Sequence, residues 1–394
     1  MNFKIALVIS HPIQHFCPMY ASWASIEGID LKVFFASNLG AAKYIDPNFG
    51  KEISWDNLYL DKFNNEFLNG DKTLQSTPTL DASNLDEKLN DFAPNLLVHY
   101  GYYHQFAKRA RNWAIKNNIK IAYISDAEHQ QKRPLWKEIL KVPFLYFYFK
   151  KENYFFTVGD ANEKNYSFYG VPKAKFRRMR FSIDIKSYDK AFNEKENLRN
   201  EFRALHNIAA NEIAISVVGK LVDWKSQDDL IKLLLQLETN YPTKKFHLLI
   251  AGSGPMEEKW KALEQYLTTN KAHFLGFVNP IDLPAIYAAS DVYVHPAKVE
   301  PHSLSISEAI YIGCPVIVAD TSGSWGNDDD VQIGKNGYVY QHNNLQELEQ
   351  KLLDIIDNKK IEIFGKHSIE ISRKFQQQSH YLMINNLKNE FAHF

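Results

Sequence analysis

The feature that most constrains this chain is a rhythm that runs twice along it: short, wholly apolar, β-branched runs alternate with helical segments. In the first pass, residues 5–9, 31–35, 96–99, 119–124 and 154–158 read as strands, and 104–116 and 161–169 as helices. The second of those helices closes on Gly170 and then Pro172, a glycine cap followed by a residue that cannot continue a helix. The rhythm pauses over 182–211, where 194–206 reads as a helix. It restarts with strands at 213–218, 246–251, 272–277, 291–295 and 315–319. A strand that is apolar at every position has both faces covered, which implies a mostly parallel sheet with helices on each side. The expected fold class is therefore α/β, with two Rossmann-like doubly wound domains, a cleft between them and a helical tail from 345 to 394. A length of 394 residues leaves room for both, and domains of 1–195 and 196–375 are expected. Residues 38–89 break the rhythm; rich in Asn, Asp, Gly and Phe, they read as an irregular insertion.

Composition excludes several classes. Lys plus Arg equals Asp plus Glu at 46 each, which argues against a general nucleic-acid binder. Two cysteines, Cys17 and Cys314, cannot build a disulfide framework and suggest a reducing compartment. No Cys-x-x-Cys or His-Glu-x-x-His spacing occurs, so no metal is expected. The N-terminal apolar stretch stops at Ser10-His11-Pro12 and reads as a strand rather than a signal peptide. The longest other apolar run, 142–149, is too short to span a bilayer, so a cytoplasmic protein, soluble or peripheral, is expected. The zero net charge hides a division. Residues 130–180 hold twelve basic and four acidic residues, a net +8, and the remainder carries −8, including Asp328-Asp329-Asp330. Within the basic part, residues 132–151 interleave Lys and Arg with Trp, Phe and Tyr. Two readings stand: a helix lying on an anionic membrane surface, or a buried helix with solvated ends.

Three motifs of the second half fall directly after strands. Gly219-Lys220-Leu221-Val222-Asp223-Trp224-Lys225 places two lysines five residues apart on a loop, suited to neutralising a diphosphate. Gly252-Ser253-Gly254-Pro255 permits a tight turn into a helix. It lacks the full G-x-G-x-x-G pattern, so a dinucleotide is not indicated and a supporting turn near the cleft is expected. Glu300-Pro301-His302-Ser303-Leu304-Ser305-Ile306-Ser307-Glu308 sets two carboxylates eight positions apart around the start of a helix expected at 305–312. A helix N-terminus suits phosphate, and flanking carboxylates suit sugar hydroxyls. In the first half, the loop Ser10-His11-Pro12-Ile13-Gln14-His15 follows the first strand and faces the cleft. His11 and His15 either touch substrate there or serve as a cap and a packing group.

Residues 213–345 resemble the donor domain of the GT-B glycosyltransferases, specifically the large retaining family four, of group 1 type. The resemblance rests on Gly219-Lys220-Leu221 with Lys225, the Gly252–Pro255 turn, Leu275-Gly276-Phe277-Val278, the Glu300/Glu308 pair followed by Gly313-Cys314-Pro315-Val316-Ile317, and Asn336-Gly337-Tyr338-Val339, all in order. It implies a GT-B fold whose last helix, over 376–394, crosses back to an acceptor-binding first domain. It implies that Lys220 and Lys225 bind the donor diphosphate, Glu300 contacts the transferred sugar, and the backbone of Ser303 and Leu304 caps the phosphates. Glu308 would hold the ribose, and Phe277 and Val278 would lie against the base, with Gly219, Gly252 and Gly254 in the same donor site. Departures are Lys220 for the usual arginine, Ser226 for a common glycine and His302-Ser303 for an aromatic–glycine pair. Where relatives carry a first-domain histidine, this chain has Ser125 or Asp126.

The resulting expectation is metal-independent, retaining transfer from a nucleotide sugar, UDP favoured over GDP, to a glycan or lipid-linked acceptor in surface polysaccharide or glycolipid synthesis. No cofactor beyond the donor is implied. A glycosidase-like acid and nucleophile pair is not needed, because a nucleoside diphosphate leaves once its charge is stabilised. A sugar-nucleotide epimerase, a DNA glucosyltransferase and a non-catalytic sugar-nucleotide binder share the architecture and remain as alternatives, nucleic acid being the least favoured partner.

Overall fold

The computed structural model describes residues 2–14, 16–41, 44–46, 51–53, 58–128, 135–181, 183–377 and 380–392. His15 and the basic residues Lys132 and Arg133 lie outside these. The first region is a seven-stranded sheet in the order β5-β2-β1-β6-β7-β8-β9. Its strands are β1 (Phe3–Ile9), β2 (Ile29–Phe35), β5 (Asn64–Phe67), β6 (Leu96–Tyr100), β7 (Lys120–Ile124), β8 (Tyr154–Thr157) and β9 (Phe176–Arg178), while β3 (Tyr44–Asp46) and β4 (Lys51–Ile53) form a separate hairpin. Every pairing in the large sheet is parallel. The second sheet, β12-β11-β10-β13-β14-β15, is also wholly parallel. It comprises β10 (Ile213–Val218), β11 (Phe246–Ala251), β12 (Lys271–Gly276), β13 (Val292–His295), β14 (Val316–Ala319) and β15 (Gly337–Tyr340). In each sheet the order of winding reverses once, between β1 and β6 and between β10 and β13. The loops leaving those paired strands diverge to opposite faces and open a crevice at the carboxyl ends.

Helices cover both faces. With the first sheet run α1 (Cys17–Ala24), α2 (Leu85–Phe92), α3 (Gln105–Lys116), α4 (Leu135–Lys150) and α5 (Asp160–Phe168). Next come α6 (Ile185–Asn193) and α7 (Lys195–Leu205). The second sheet carries α8 (Asp228–Asn240), α9 (Glu257–Glu264), α10 (Leu283–Ala289), α11 (Leu304–Ile312), α12 (Leu345–Asp357) and α13 (Lys360–Gln377). Ile183, Tyr188 and Ala191 are buried in the second sheet's core, so packing divides the chain ahead of residue 183 rather than at 195. The final helix, α14 (His380–Ala392), leaves that domain. Met383, Ile384 and Leu387 enter the first sheet's core, and Trp23 Nε1 donates to His380 Nδ1 at 3.1 Å.

Two sequence readings are corrected. The described residues of the 38–89 segment hold regular structure: β5 extends the first sheet beside β2, held by Lys32–Glu66 and Lys88–Glu66 ion pairs at 2.7 and 2.9 Å, and Arg109 clamps Asp81 at 2.6–3.1 Å. Its strand, Asn64-Asn65-Glu66-Phe67, is a polar edge without the apolar pattern that marks a central strand. The second correction is α4. Leu145 and Phe149 are buried, but Trp136, Leu140 and Phe147 are 61, 67 and 67% exposed, so this is not a buried helix with wet ends.

The charge division also acquires a structural meaning. Arg180 lies 3.6 Å from Asp329, 3.8 Å from Asp330 and 3.8 Å from Asp328, and Asp329 Oδ2 accepts the Asp160 N–H at 2.7 Å. Part of the basic first-domain excess thus meets the acidic triplet of the second domain within the same chain.

Candidate active site

The crevice of the second sheet is built from glycine outward. Gly219 and Gly252 adopt φ +153° and +149°, and a Cβ on Gly252 would collide with the Gly219 carbonyl. A Cβ on Gly254 would meet the Leu221 carbonyl in the same way. Freed of side chains, the two loops hydrogen-bond backbone to backbone: Gly219 N–H to Ala251 at 2.9 Å, Leu221 N–H to Ser253 at 3.0 Å and Met256 N–H to Leu221 at 3.0 Å. The work of Gly252 and Gly254 in this structure is therefore to seat the loop that carries Lys220 and Lys225. That loop also reaches β13's loop, where Lys298 N–H donates to Trp224 O at 2.9 Å.

The two loops meet in an ion pair between Lys225 Nζ and Glu300 Oε2. His295 Nε2 lies 3.0 Å from the same oxygen. Burial alone would raise the Glu300 carboxyl, but the Lys225 charge and the His295 hydrogen bond outweigh it and hold it at about 2. His295 is itself pushed down by burial, against the pull of Glu300. Its other nitrogen lies 3.2 Å from the Tyr293 hydroxyl, which is 2.7 Å from Ser305 Oγ, in turn 2.9 Å from Ser303 Oγ. A hydrogen-bonded line thus fixes Glu300 against the first turn of α11. His295, the last residue of β13, was not singled out in the sequence; a histidine at a strand end five residues before Glu300 was the available signal.

Ser303 is the N-cap of α11, and its N–H donates to Ser324 Oγ at 2.9 Å, so in this state it is engaged within the protein rather than held open for phosphate. Glu308 lies one turn into α11 and accepts from the Tyr287 hydroxyl at 2.8 Å; burial raises its carboxyl to about 7. Phe277 follows Gly276, whose φ is +68°, and is exposed, whereas Val278 packs partly onto the second core.

Residues 199–374 match the family described as glycosyl transferases group 1. Over that stretch, somewhat under half of the chain, the sequence is similar to the group 1 glycosyltransferases. Among curated relatives it is 27% identical over 205 residues to spore coat protein SA of Bacillus subtilis, covering 50% of this chain and 53% of that one. It is also 27% identical over 206 residues to the sulfoquinovosyl transferase SQD2 of Arabidopsis thaliana, covering 52% and 38%. The matched segments span about half or less of these relatives' own length. Across its full length the chain superposes on an Anabaena HepE structure, crystallised with UDP and glucose, at a TM-score of 0.68 with 18% identity and complete coverage of both chains. The lipopolysaccharide glycosyltransferase WaaG gives 0.63 with 14% identity and 98% coverage of each. The fold is GT-B.

The first-domain crevice is chemically different. Asp126, after β7, accepts from the Tyr100 hydroxyl at 3.1 Å. Burial raises its carboxyl, the nearby Glu300 charge adds to that, and Tyr100 and His302 oppose it. Asp126 thus lies within electrostatic reach of the Glu300 site. Ser125 is turned into its own loop: its carbonyl accepts from Asn162 and Tyr166, both at 2.9 Å, and its hydroxyl accepts the Ala127 N–H at 3.1 Å. It positions Asp126. His11 Nδ1 is 2.9 Å from Ser10 Oγ, and burial, with His104 nearby, lowers its pKa to about 4, so it is neutral near pH 7. His104, the N-cap of α3, was not anticipated at this crevice.

His302, Asp329 and Asp330 gather ligand-type atoms within 4.8 Å of one another. Their acceptors are already used: Ser307 Oγ donates to Asp330 at 2.6 Å, the Asp330 N–H donates to Asp329 at 2.9 Å, and the Arg180 guanidinium faces both carboxylates. A dication would be set against that guanidinium, so the cluster is an ion-paired joint between domains.

Proposed function

We propose that this protein transfers a sugar from a nucleoside diphosphate sugar, with UDP favoured over GDP, to a glycan or lipid-linked acceptor, retaining the anomeric configuration. The observation that carries this reading is the Lys225–Glu300 pair at the crevice of the second sheet, braced by His295. An incoming diphosphate competes for Lys225 and releases Glu300 to accept hydroxyls of the transferred sugar. Lys220 and Lys225 then neutralise the charge that grows on the leaving diphosphate, without a metal. Glu308 accepts the ribose hydroxyls, and Phe277 and Val278 lie along the base. The C1–O bond to phosphate breaks as the acceptor oxygen bonds to C1 on the same face, and the acceptor proton passes to the departing phosphate oxygen. Asp126 faces this site from the first domain and orients the sugar or the acceptor. The UDP and glucose held by the Anabaena relative support the donor class. The reading places the reaction in the cytoplasm, in surface glycan or glycolipid assembly.

A thermal-shift series over nucleotide sugars tests the donor. UDP-sugars are expected to raise Tm most, because a ligand bound only to the native state stabilises it. Failure of every nucleotide sugar to shift Tm would overturn the reading. The linkage of the product tests retention: inversion from an α-linked donor would exclude the same-face route.

A further inference from the structure

We propose that the outer face of α4 docks on an anionic lipid bilayer, seating the cleft of the first domain at the membrane surface. The face is continuous. Trp136, Leu140, Pro143 and Phe147 recur at helical spacing along one line, with Ile139 and Tyr146 on one side and Phe144 on the other. Ile139 and Phe144 are 64 and 52% exposed, so the patch is no fringe of the core. The opposite side of the same helix, at Leu145 and Phe149, is anchored among Tyr123, Phe155, Tyr166 and Tyr169. A soluble monomer does not ordinarily leave such a patch in water.

Charge selects the occupant. Lys137 is exposed beside the stripe and Lys150 and Lys151 at its end; residues 132–151 carry six basic groups and one acid. A second copy docked through the same face would bring like charges together, as would a basic protein. A surface of anionic headgroups over an apolar interior matches both the cations and the aromatic side chains between them. No helix among the described residues is long and apolar enough to cross a membrane, so the helix lies on the bilayer rather than through it. Placement agrees with this use. α4 follows the β7 loop that carries Asp126, so the apolar stripe starts at the carboxyl-end rim of the sheet, where the cleft opens.

Flotation with vesicles tests the inference without turnover, so its failure is distinct from failure of the donor reading. The full chain is expected to float with phosphatidylcholine–phosphatidylglycerol vesicles at least about tenfold more than with phosphatidylcholine alone, and less as salt rises. The double variant Trp136→Ser/Phe147→Ser is expected to lose about tenfold or more of that binding with its Tm and UDP-sugar shift unchanged, since both side chains lie outside the core. Absence of flotation, equal binding to neutral vesicles, or a variant that floats like the parent would overturn the proposal. So would a dimer in solution that the same substitutions convert to monomer.

Discussion

The two crevices sit at equivalent places in two similar sheets, yet they hold different chemistry. At β10 and β13 the site is ionic: Lys225 and His295 share the Glu300 carboxylate, fixed by loops that pack through glycine. Around β1, β6 and β7 the groups differ: His11 is uncharged near pH 7, and the Asp126 carboxyl, raised by burial, accepts from the Tyr100 hydroxyl. On the proposed reading, one crevice meets fixed negative charge and the other meets hydroxyls. The difference teaches that the fold supplies the location, while the loops decide which half carries the fixed charges.

The sharpest way to break this contrast is Lys225→Ala. If the second crevice stabilises the leaving diphosphate, kcat should fall by about a thousandfold, the scale of losing a preorganised charge at an active site. Circular dichroism should show the fold retained. Near-normal turnover would move the electrostatic work elsewhere.

The second test separates seating from binding. Gly252→Ala forces a Cβ into the Gly219 carbonyl at a φ of +149°, and is expected to cost about 3 kcal/mol in urea unfolding, from backbone strain plus overpacking. Gly334→Ala, at φ +75° with nothing within 4 Å, should cost only about 1 kcal/mol. Equal losses would mean that the loop contact adds nothing to the strain of the turn.

What the chain disclosed in advance follows the same division. β10 and β11 were readable to the residue, because each is a short apolar run closed by a glycine that only a turn requires. Glu300 and Glu308 were readable because both lie in one nine-residue segment at a helix start. His295, Tyr287 and Ser324 join them from three other elements, and no local spacing announces a contact made by folding. The polar edge strand β5 and the Arg180–Asp329 joint escaped for the same reason. α4 shows a different limit. An apolar run has the same periodicity whether its partner is a core or a bilayer, so residues 142–149 could not declare which side of α4 faces out.

Asp126→Asn probes the first-domain crevice. The variant keeps an acceptor for the Tyr100 hydroxyl but removes the charge facing Glu300. We expect kcat to fall by about ten- to thirtyfold, with donor-induced Tm shifts preserved, as for a group that orients rather than stabilises charge. A loss as large as that of Lys225→Ala would erase the contrast between the crevices.

The smallest effect is a pH dependence carried by Glu308. Burial lifts its carboxyl to about 7 from an ordinary 4.5. A raised carboxylate contributes stability that is full below 4.5 and lost as pH climbs through 7, so the ligand-free protein gives up this contribution on going from pH 5 to 8. Binding should run the other way. Ribose hydroxyls donate to the ionised carboxylate, so donor affinity should rise through pH 7 and be about tenfold weaker at pH 6 than at pH 8. Calorimetry with an intact UDP-sugar suits the measurement, because its diphosphate carries no ionisation near neutrality. At pH 6 binding should release a proton to buffer, and Glu308→Gln should abolish both the release and the slope. Glu300, held at about 2, does not titrate in this window and cannot substitute for it. A flat affinity profile in the parent protein would remove Glu308 from the ribose site and leave the donor half defined by Lys225 and Glu300 alone.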